Sequence, residues 1–190
     1  IVRYAQERHI TVVPEIDFPG HSMAALAAYP ELSTRKEAKF VNPGTAFAKW
    51  LPDGTFKMFI ENTLNPTDEK VYDFITKVFS EVAMLFPGEY IHMGGDECYK
   101  GFWEESDDVQ KFMKKNNIKD SHKLQAYFVG RVQKIINSFG KKMIGWDEIT
   151  EGGLAKGATV MCWHDMKAGA KAAKLGHQVI MSPHGYTYLD

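Results

Sequence analysis

The string His92-Met93-Gly94-Gly95-Asp96-Glu97 puts two carboxylates side by side, directly after two glycines. Adjacent side chains of a strand point to opposite faces, so neighbouring acids serve one pocket only where the backbone turns. Gly94-Gly95 supplies that freedom and lets a ligand approach the main chain. One acid of such a pair can be held protonated by burial and by its neighbour's charge, which is the starting condition for acid–base work. The plain alternative is a strand end with two solvated acids. A second string, Pro14-Glu15-Ile16-Asp17-Phe18-Pro19-Gly20-His21, ends a Pro-Gly turn in an imidazole. His21 could orient an acid, bind a metal or cap a helix beginning near Ser22. Trp146 and Trp163 each close an apolar run, where an indole suits the apolar face of a sugar. Trp50 and Trp103 fall in loops and carry less weight.

The elements that must position these residues alternate. Residues 11–16, 89–93, 142–146, 158–163 and 178–182 are short apolar runs rich in β-branched residues, as expected of parallel strands buried on both faces. Between them, Val71, Phe74, Ile75, Val78, Phe79, Val82, Leu85 and Phe86 make one helical stripe, stopped by Pro87-Gly88. Leu124, Tyr127, Phe128, Val132, Ile135, Ile136 and Phe139 make another, ended by Gly140, and a shorter helix runs from about Lys167 to Leu175. Strand–helix alternation means an α/β fold. No GxGxxG or GxxxxGK[ST] pattern follows a strand, so nucleotide folds lose support. Chemistry-bearing residues follow several different strands: Asp17 and His21, Asp96 and Glu97, Trp146 to Glu148, Trp163 to Asp165, Tyr186 to Asp190. That is the habit of a (β/α)8 TIM barrel. Such a barrel needs eight strands, so residues 1–190 are expected to be the central part of one barrel domain. They supply about five β/α units, with the domain truncated at both ends. Residues 1–8 read as the last turns of a helix.

Composition narrows the partners. The 190 residues are 44% hydrophobic and 25% charged, with a formal net charge of -1. No basic block offers phosphates a surface, which argues against nucleic acid; Lys111–Lys119 reads as a solvated helix face. No apolar run approaches the ~20 residues that span a bilayer. No leader peptide is evident, and an extracytoplasmic setting (periplasmic, secreted or lysosomal) is expected ahead of a cytoplasmic one. Cys98 and Cys162 are expected to be free thiols.

Ile91-His92-Met93-Gly94-Gly95-Asp96-Glu97 resembles the signature of glycoside hydrolase family 20, the β-N-acetylhexosaminidases. Residues 13–21 resemble that family's third barrel strand and loop, Gly145-Trp146-Asp147-Glu148 its fifth, and Val160-Met161-Cys162-Trp163 its sixth. Met181-Ser182-Pro183 with Tyr188-Leu189-Asp190 resembles its seventh. The resemblance implies a retaining exo-glycosidase that removes terminal β-linked N-acetylhexosamine, GlcNAc or GalNAc, from glycans or chitooligosaccharides. It implies that the substrate's own acetamido oxygen attacks C1 and forms an oxazolinium, with no enzyme nucleophile, no cofactor and no metal. Glu97 would then be the general acid. Asp96 would hold the acetamido N–H, and Tyr188 would donate to the acetamido oxygen. Trp146 and Trp163 would wall the acetyl methyl, Asp190 would bind hydroxyls, and His21 would tune Glu97. Asp17 and Glu148 join the substrate-binding candidates. The family's arginine on the first strand, acid on the second and tryptophan on the eighth have no counterpart here. His164 has no assigned role. Two other readings compete: a metal-dependent barrel hydrolase using His21, His92, Asp96 and Asp165, and a non-catalytic carbohydrate-binding relative.

Overall fold

The computed structural model describes residues 1–36, 40–41, 44, 46, 48–53, 55–153 and 156–189. Its centre is a parallel sheet of β3 (Tyr90–His92), β4 (Lys142–Trp146), β5 (Thr159–Cys162) and β6 (Gln178–Met181), in that spatial order. Space follows sequence, as in the wall of a barrel. Registers are regular: Ile91 lies against Met143, Gly145 against Val160, and Val160 against Val179.

The run at 11–16, expected to be a strand, bridges the sheet only at Glu15, opposite His92. It still runs parallel to β3. His92 donates its N–H to the Pro14 carbonyl, Ile16 donates to His92, and Phe18 donates to Met93, at 2.9, 3.0 and 2.9 Å. Pro14 has no N–H to give the ladder, which is one reason the pairing is thin. The segment nevertheless brings Asp17 to the end of β3.

Helices cover one face. α1 (Val2–Gln6) and α2 (Met23–Ala28) are short, and Ser22 stands at the N-cap position of α2. α3 (Glu69–Leu85) starts where the Asp68 carboxylate accepts the Lys70 N–H, and α6 (Ser121–Ser138) where Asp120 accepts the Lys123 N–H. The expected stripes are buried: Val71, Ile75 and Phe79 from α3, and Phe128, Val132 and Ile136 from α6, join Ile91, Met93, Met143 and Val160 in one core. Each fully buried side chain of this size contributes about 1.5–3 kcal/mol. α4 (Gly101–Glu104) and α5 (Asp107–Lys115) form a satellite core around Trp103, which is fully buried rather than in a loop. α7 (Met166–Lys174) and α8 (His184–Thr187) complete the helices.

Two departures from strict alternation shape the site. β1 (Ala48–Trp50) and β2 (Phe56–Met58) form a small antiparallel hairpin, so Trp50 sits on a strand. β4 and β5 are joined by residues 147–158, which hold a 3-10 turn at Asp147–Thr150 and no α-helix among the described residues. That is about the shortest span that can return a parallel strand. It therefore keeps Asp147, Glu148 and Glu151 at the strand ends, pinned by the fully buried Ile149.

Candidate active site

The turn after β3 is fixed on all sides. Gly94 and Gly95 have φ of +70° and +100°, the left-handed region that side chains rarely enter. A methyl group on Gly94 would collide with Asp17 Oδ1, and one on Gly95 would come within 2.5 Å of Ile149 Cγ2. The Gly95 N–H donates to Asp17 Oδ1 at 2.9 Å, Gln125 donates to the Gly95 carbonyl at 3.1 Å, and the Trp146 N–H donates to Gly94 at 2.9 Å. Glu97 and His21, at φ +45° and +48°, are themselves left-handed. Such non-glycine strain persists where surrounding contacts over-determine the backbone.

These turns bring Asp17, His21, Asp96 and Glu97 together. His21 Nε2 stands 3.4 Å from Asp96 Oδ2 and 3.5 Å from Glu97 Oε2. The imidazole's pKa is pushed up to about 9: a hydrogen bond to Asp96 outweighs burial, and the charges of Asp17, Asp96 and Glu97 add to it. At neutral pH His21 is a cation between two acids. Burial, then the adjacent Asp96 charge, pushes Asp17 up to about 8. Burial would raise Asp96 as well, but hydrogen bonds from His21 and Asp17 hold it below the usual carboxylate range. The pair therefore splits into a protonated Asp17 and an ionised Asp96, as expected when two carboxyls share a site. Asp96 Oδ1 is buried and, the hydrogen bond that Asp96 shares with Asp17 aside, meets no donor among the described residues.

A second, parallel cluster follows β4. His164 Nδ1 lies 2.9 Å from Asp147 Oδ1, and its Nε2 lies 3.9 Å from Glu148 Oε1. Burial opposes the imidazolium, but the hydrogen bond to Asp147 and the Glu148 charge raise its pKa. This gives His164, unassigned by sequence, a partner set that mirrors His21's. Glu148 accepts Trp163 Nε1 at 3.1 Å and the Glu97 backbone N–H at 3.5 Å. Burial and a hydrogen bond with Asp147 push its carboxyl up to about 7. Trp146 Nε1 donates to Glu15 at 2.9 Å, and its ring lies 4.9 Å from that of His92. Glu15 and Glu148 each orient one indole. Sequence reasoning misses this role for Glu15, whose only local mark is its place two residues before Asp17 at a strand end.

The remaining candidates are placed as follows. The Tyr188 ring stands 6.4 Å from His184, whose own ring is 6.0 Å from Trp163, so Tyr188 belongs to the Trp163 side. Asp190 lies outside the described residues. Asp165, a ligand in the metal reading, caps α7 instead by accepting the Ala168 N–H at 2.8 Å. Asp17, His21 and Asp96, and likewise Asp147, Glu148 and His164, offer ligand-type atoms within 4.8 Å of one another. A histidine must be neutral to bind a metal. His21 is pushed up to about 9 and His164 is raised by its hydrogen bond to Asp147, so at both places a metal would compete with a proton. Both cysteines are free thiols, with burial pushing Cys98 up to about 12 and Cys162 up to about 11.

Residues 1–190 match the family described as "Glycosyl hydrolase family 20, catalytic domain". The chain belongs to that glycoside hydrolase family. A β-hexosaminidase of Porphyromonas gingivalis is 45% identical over 191 residues, covering 100% of this family 20 chain and 23% of the relative. A β-hexosaminidase of Vibrio furnissii is 35% identical, over 100% of this chain and 30% of its own length. Among solved structures, the Flavobacterium johnsoniae chitobiase superposes with a TM-score of 0.83 at 35% identity, covering 97% of this chain and 27% of that one. The Bacteroides fragilis β-N-acetylhexosaminidase gives 0.83 at 33%, covering 100% and 36%. The chain thus spans about a quarter to a third of these relatives, and its fold is a section of the family's (β/α)8 barrel.

Proposed function

We propose that the complete protein is a retaining exo-glycosidase that removes terminal β-linked N-acetylhexosamine, with residues 1–190 as the central part of one catalytic barrel domain. The observation that carries this reading is Asp96 Oδ1, a buried oxygen of an ionised carboxylate that meets no N–H of the described residues, beside a candidate acid. A buried carboxylate oxygen short of donors costs about 1–3 kcal/mol or more, so the site favours a ligand that brings one. An acetamido N–H is such a donor. The Asp17 proton occupies at most one lone pair of that carboxylate, which leaves capacity for a second bond.

The same geometry supports a substrate-assisted mechanism. Asp96 orients the acetamido group so that its oxygen faces C1, and its charge stabilises the oxazolinium that forms. The attack is intramolecular and gains from proximity. Glu97 protonates the departing oxygen and then takes a proton from water. His21 lies between the two acids and ties their positions together. Asp17 supports Asp96 and the glycine turn, and Glu148 supports Trp163 and Glu97, so both act as positioning residues. Trp146 and Trp163 wall the methyl group, with Tyr188 donating to the acetamido oxygen. The substrate is a carbohydrate; no helix among the described residues is long and apolar enough to cross a membrane. The family 20 exo-β-N-acetylglucosaminidase of Vibrio harveyi, solved in complex with N-acetylglucosamine, supports the same substrate class.

The test compares N-acetyl-β-hexosaminides with matching β-glucosides carrying a 2-hydroxyl. The former should be cleaved with retained configuration and the latter almost ignored, and a thiazoline mimic of the ring-closed intermediate should inhibit competitively. Efficient β-glucoside hydrolysis, or a sugar trapped covalently on Asp96 or Glu97, would overturn the reading.

A further inference from the structure

Glu148 serves two neighbours at once. Trp163 Nε1 donates to it, at 3.2 Å to Oε1 and 3.1 Å to Oε2, and the Glu97 backbone N–H donates to Oε1 at 3.5 Å. Its other neighbour is an acid. Burial, then a hydrogen bond shared with Asp147, pushes the Glu148 carboxyl up to about 7. Asp147 Oδ2 is buried and, that shared bond aside, meets no donor among the described residues. Two adjacent acids in such a place repel once both are ionised. His164, on the chain that leaves β5, is set against the pair. Its Nδ1 lies 2.9 Å from Asp147 Oδ1 and its Nε2 lies 3.9 Å from Glu148 Oε1. Its ring also packs against the Trp163 ring, with centroids 4.1 Å apart and planes 34° from parallel. α8 holds the same two residues through the backbone: the His184 N–H donates to the Trp163 carbonyl at 2.7 Å, and His184 Nδ1 stands 3.1 Å from the His164 carbonyl. Glu97, Glu148, Trp163 and His164 all line one cavity of about 530 Å³.

We infer that His164 is a positioning residue for the acyl pocket: held by Asp147, it keeps Glu148 turned toward the Trp163 indole and so sets how large an N-acyl group that wall admits. The inference rests on the glycosidase reading and deepens it by naming what fixes one wall of the pocket. His164 acts through Asp147, Glu148 and Trp163, not on the reacting atoms. Burial opposes a charge on its imidazole, but the hydrogen bond to Asp147 and the charges of Glu148, Asp147 and Asp165 outweigh it. A cation at this place favours an ionised Glu148, whose two oxygens then accept the Trp163 and Glu97 N–H groups. Without the cation Glu148 holds a proton more readily and shares it with Asp147, which turns one oxygen away from the indole. Trp163 then loses part of its N–H anchor and, with it, the ring packed on its face.

The experiment uses the complete protein and two aryl β-glucosaminides with the same leaving group, one N-acetylated and one N-propionylated. They differ by one methylene, so the ratio of their kcat/KM values reads the fit of the acyl group alone. An apolar pocket discriminates one methylene by about 10–200-fold, and the wild type should prefer the N-acetyl substrate on that scale. His164→Ala should lower the preference about fivefold, a part of what such a pocket supplies. The His164 side chain is 49% exposed, so its removal leaves the core intact. His164→Arg, a planar cation able to pair with both acids and pack on the indole, should restore most of the preference. A general loss of structure lowers both substrates in proportion and leaves the ratio where it was. If His164→Ala leaves the ratio unchanged, or if His164→Arg repairs none of the fall, the role of His164 is wrong while the glycosidase reading stands. Cleavage of neither substrate by the wild type would remove the glycosidase reading and this inference together.

Discussion

At the scale of single residues, the site is organised by protons rather than by shape alone. Asp17 and His21 both bind a proton more tightly in the folded chain than in an unfolded one, at about 8 and about 9 against ordinary values of 3.8 and 6.5. For groups raised in this way the stabilising contribution is complete below the unfolded value and is lost as pH rises through the folded one. The Asp17 contribution therefore drains away up to about pH 8, and that of His21 between about 6.5 and 9. The complete protein should lose thermal stability steadily across pH 6.5–9. Asp17→Asn keeps an acceptor for Gly95 and an N–H donor for Asp96 but cannot ionise, so its melting temperature should fall less over that window. Parallel curves for the two proteins would remove Asp17 as a titrating partner of Asp96. At this scale much is legible in the sequence. Asp96, Glu97 and His21 stand out because two acids beside paired glycines, and a histidine ending a Pro-Gly turn, are unusual combinations. His164 and Glu15 are not legible, since each acts through a partner from a different strand and no local pattern records that pairing.

At the scale of elements, the two-glycine turn is what converts a strand end into a site. Gly94 and Gly140 have nearly the same φ, +70° and +71°. A methyl group at Gly140, just beyond α6, meets nothing within 4 Å, whereas one at Gly94 strikes the Asp17 side chain and backbone. Gly140→Ala should therefore cost only the left-handed backbone term, about 1–2 kcal/mol. Gly94→Ala adds displacement of Asp17 and should cost at least ~1 kcal/mol more, with a large loss of turnover. Denaturant unfolding of both variants in the complete protein makes the comparison, and equal losses would mean that the Asp17 contact is readily relieved. The helices carrying periodic apolar stripes, α3 and α6, are readable because burial repeats every three to four residues. The thin strand at 11–16 reads as regular because its composition is that of a strand, while its pairing depends on Pro14 and on a neighbour far along the chain. The β1–β2 hairpin escapes a sequence reading, and Trp50 with it. Its strands are three residues each, too short for alternation to declare itself.

At the scale of the whole molecule, a parallel sheet is stable when both faces and both edges are covered. The described sheet is β3-β4-β5-β6, with residues 12–18 alongside β3, whereas a closed barrel uses eight strands. The β3–β4–β5 region is covered, with Ile91, Met143, Ile144 and Val160 all buried. The two flanks are not: Val13 on one side and Ile180 and Met181 on the other are each about two-fifths exposed. Apolar side chains on open parallel edges are a template for pairing with another chain. A polypeptide of residues 1–190 alone should therefore self-associate, seen as a mass above 21.5 kDa in light scattering that grows with concentration. Its turnover of an aryl N-acetyl-β-glucosaminide should be nearly absent, because the open flanks are where the rest of a sugar-enclosing barrel wall belongs. A polypeptide in which both flanks are covered should give a defined mass and activity together. A monomeric, active 1–190 polypeptide would mean that the four-stranded sheet closes the site by itself, and that its open edges are covered by a rearrangement of this same chain.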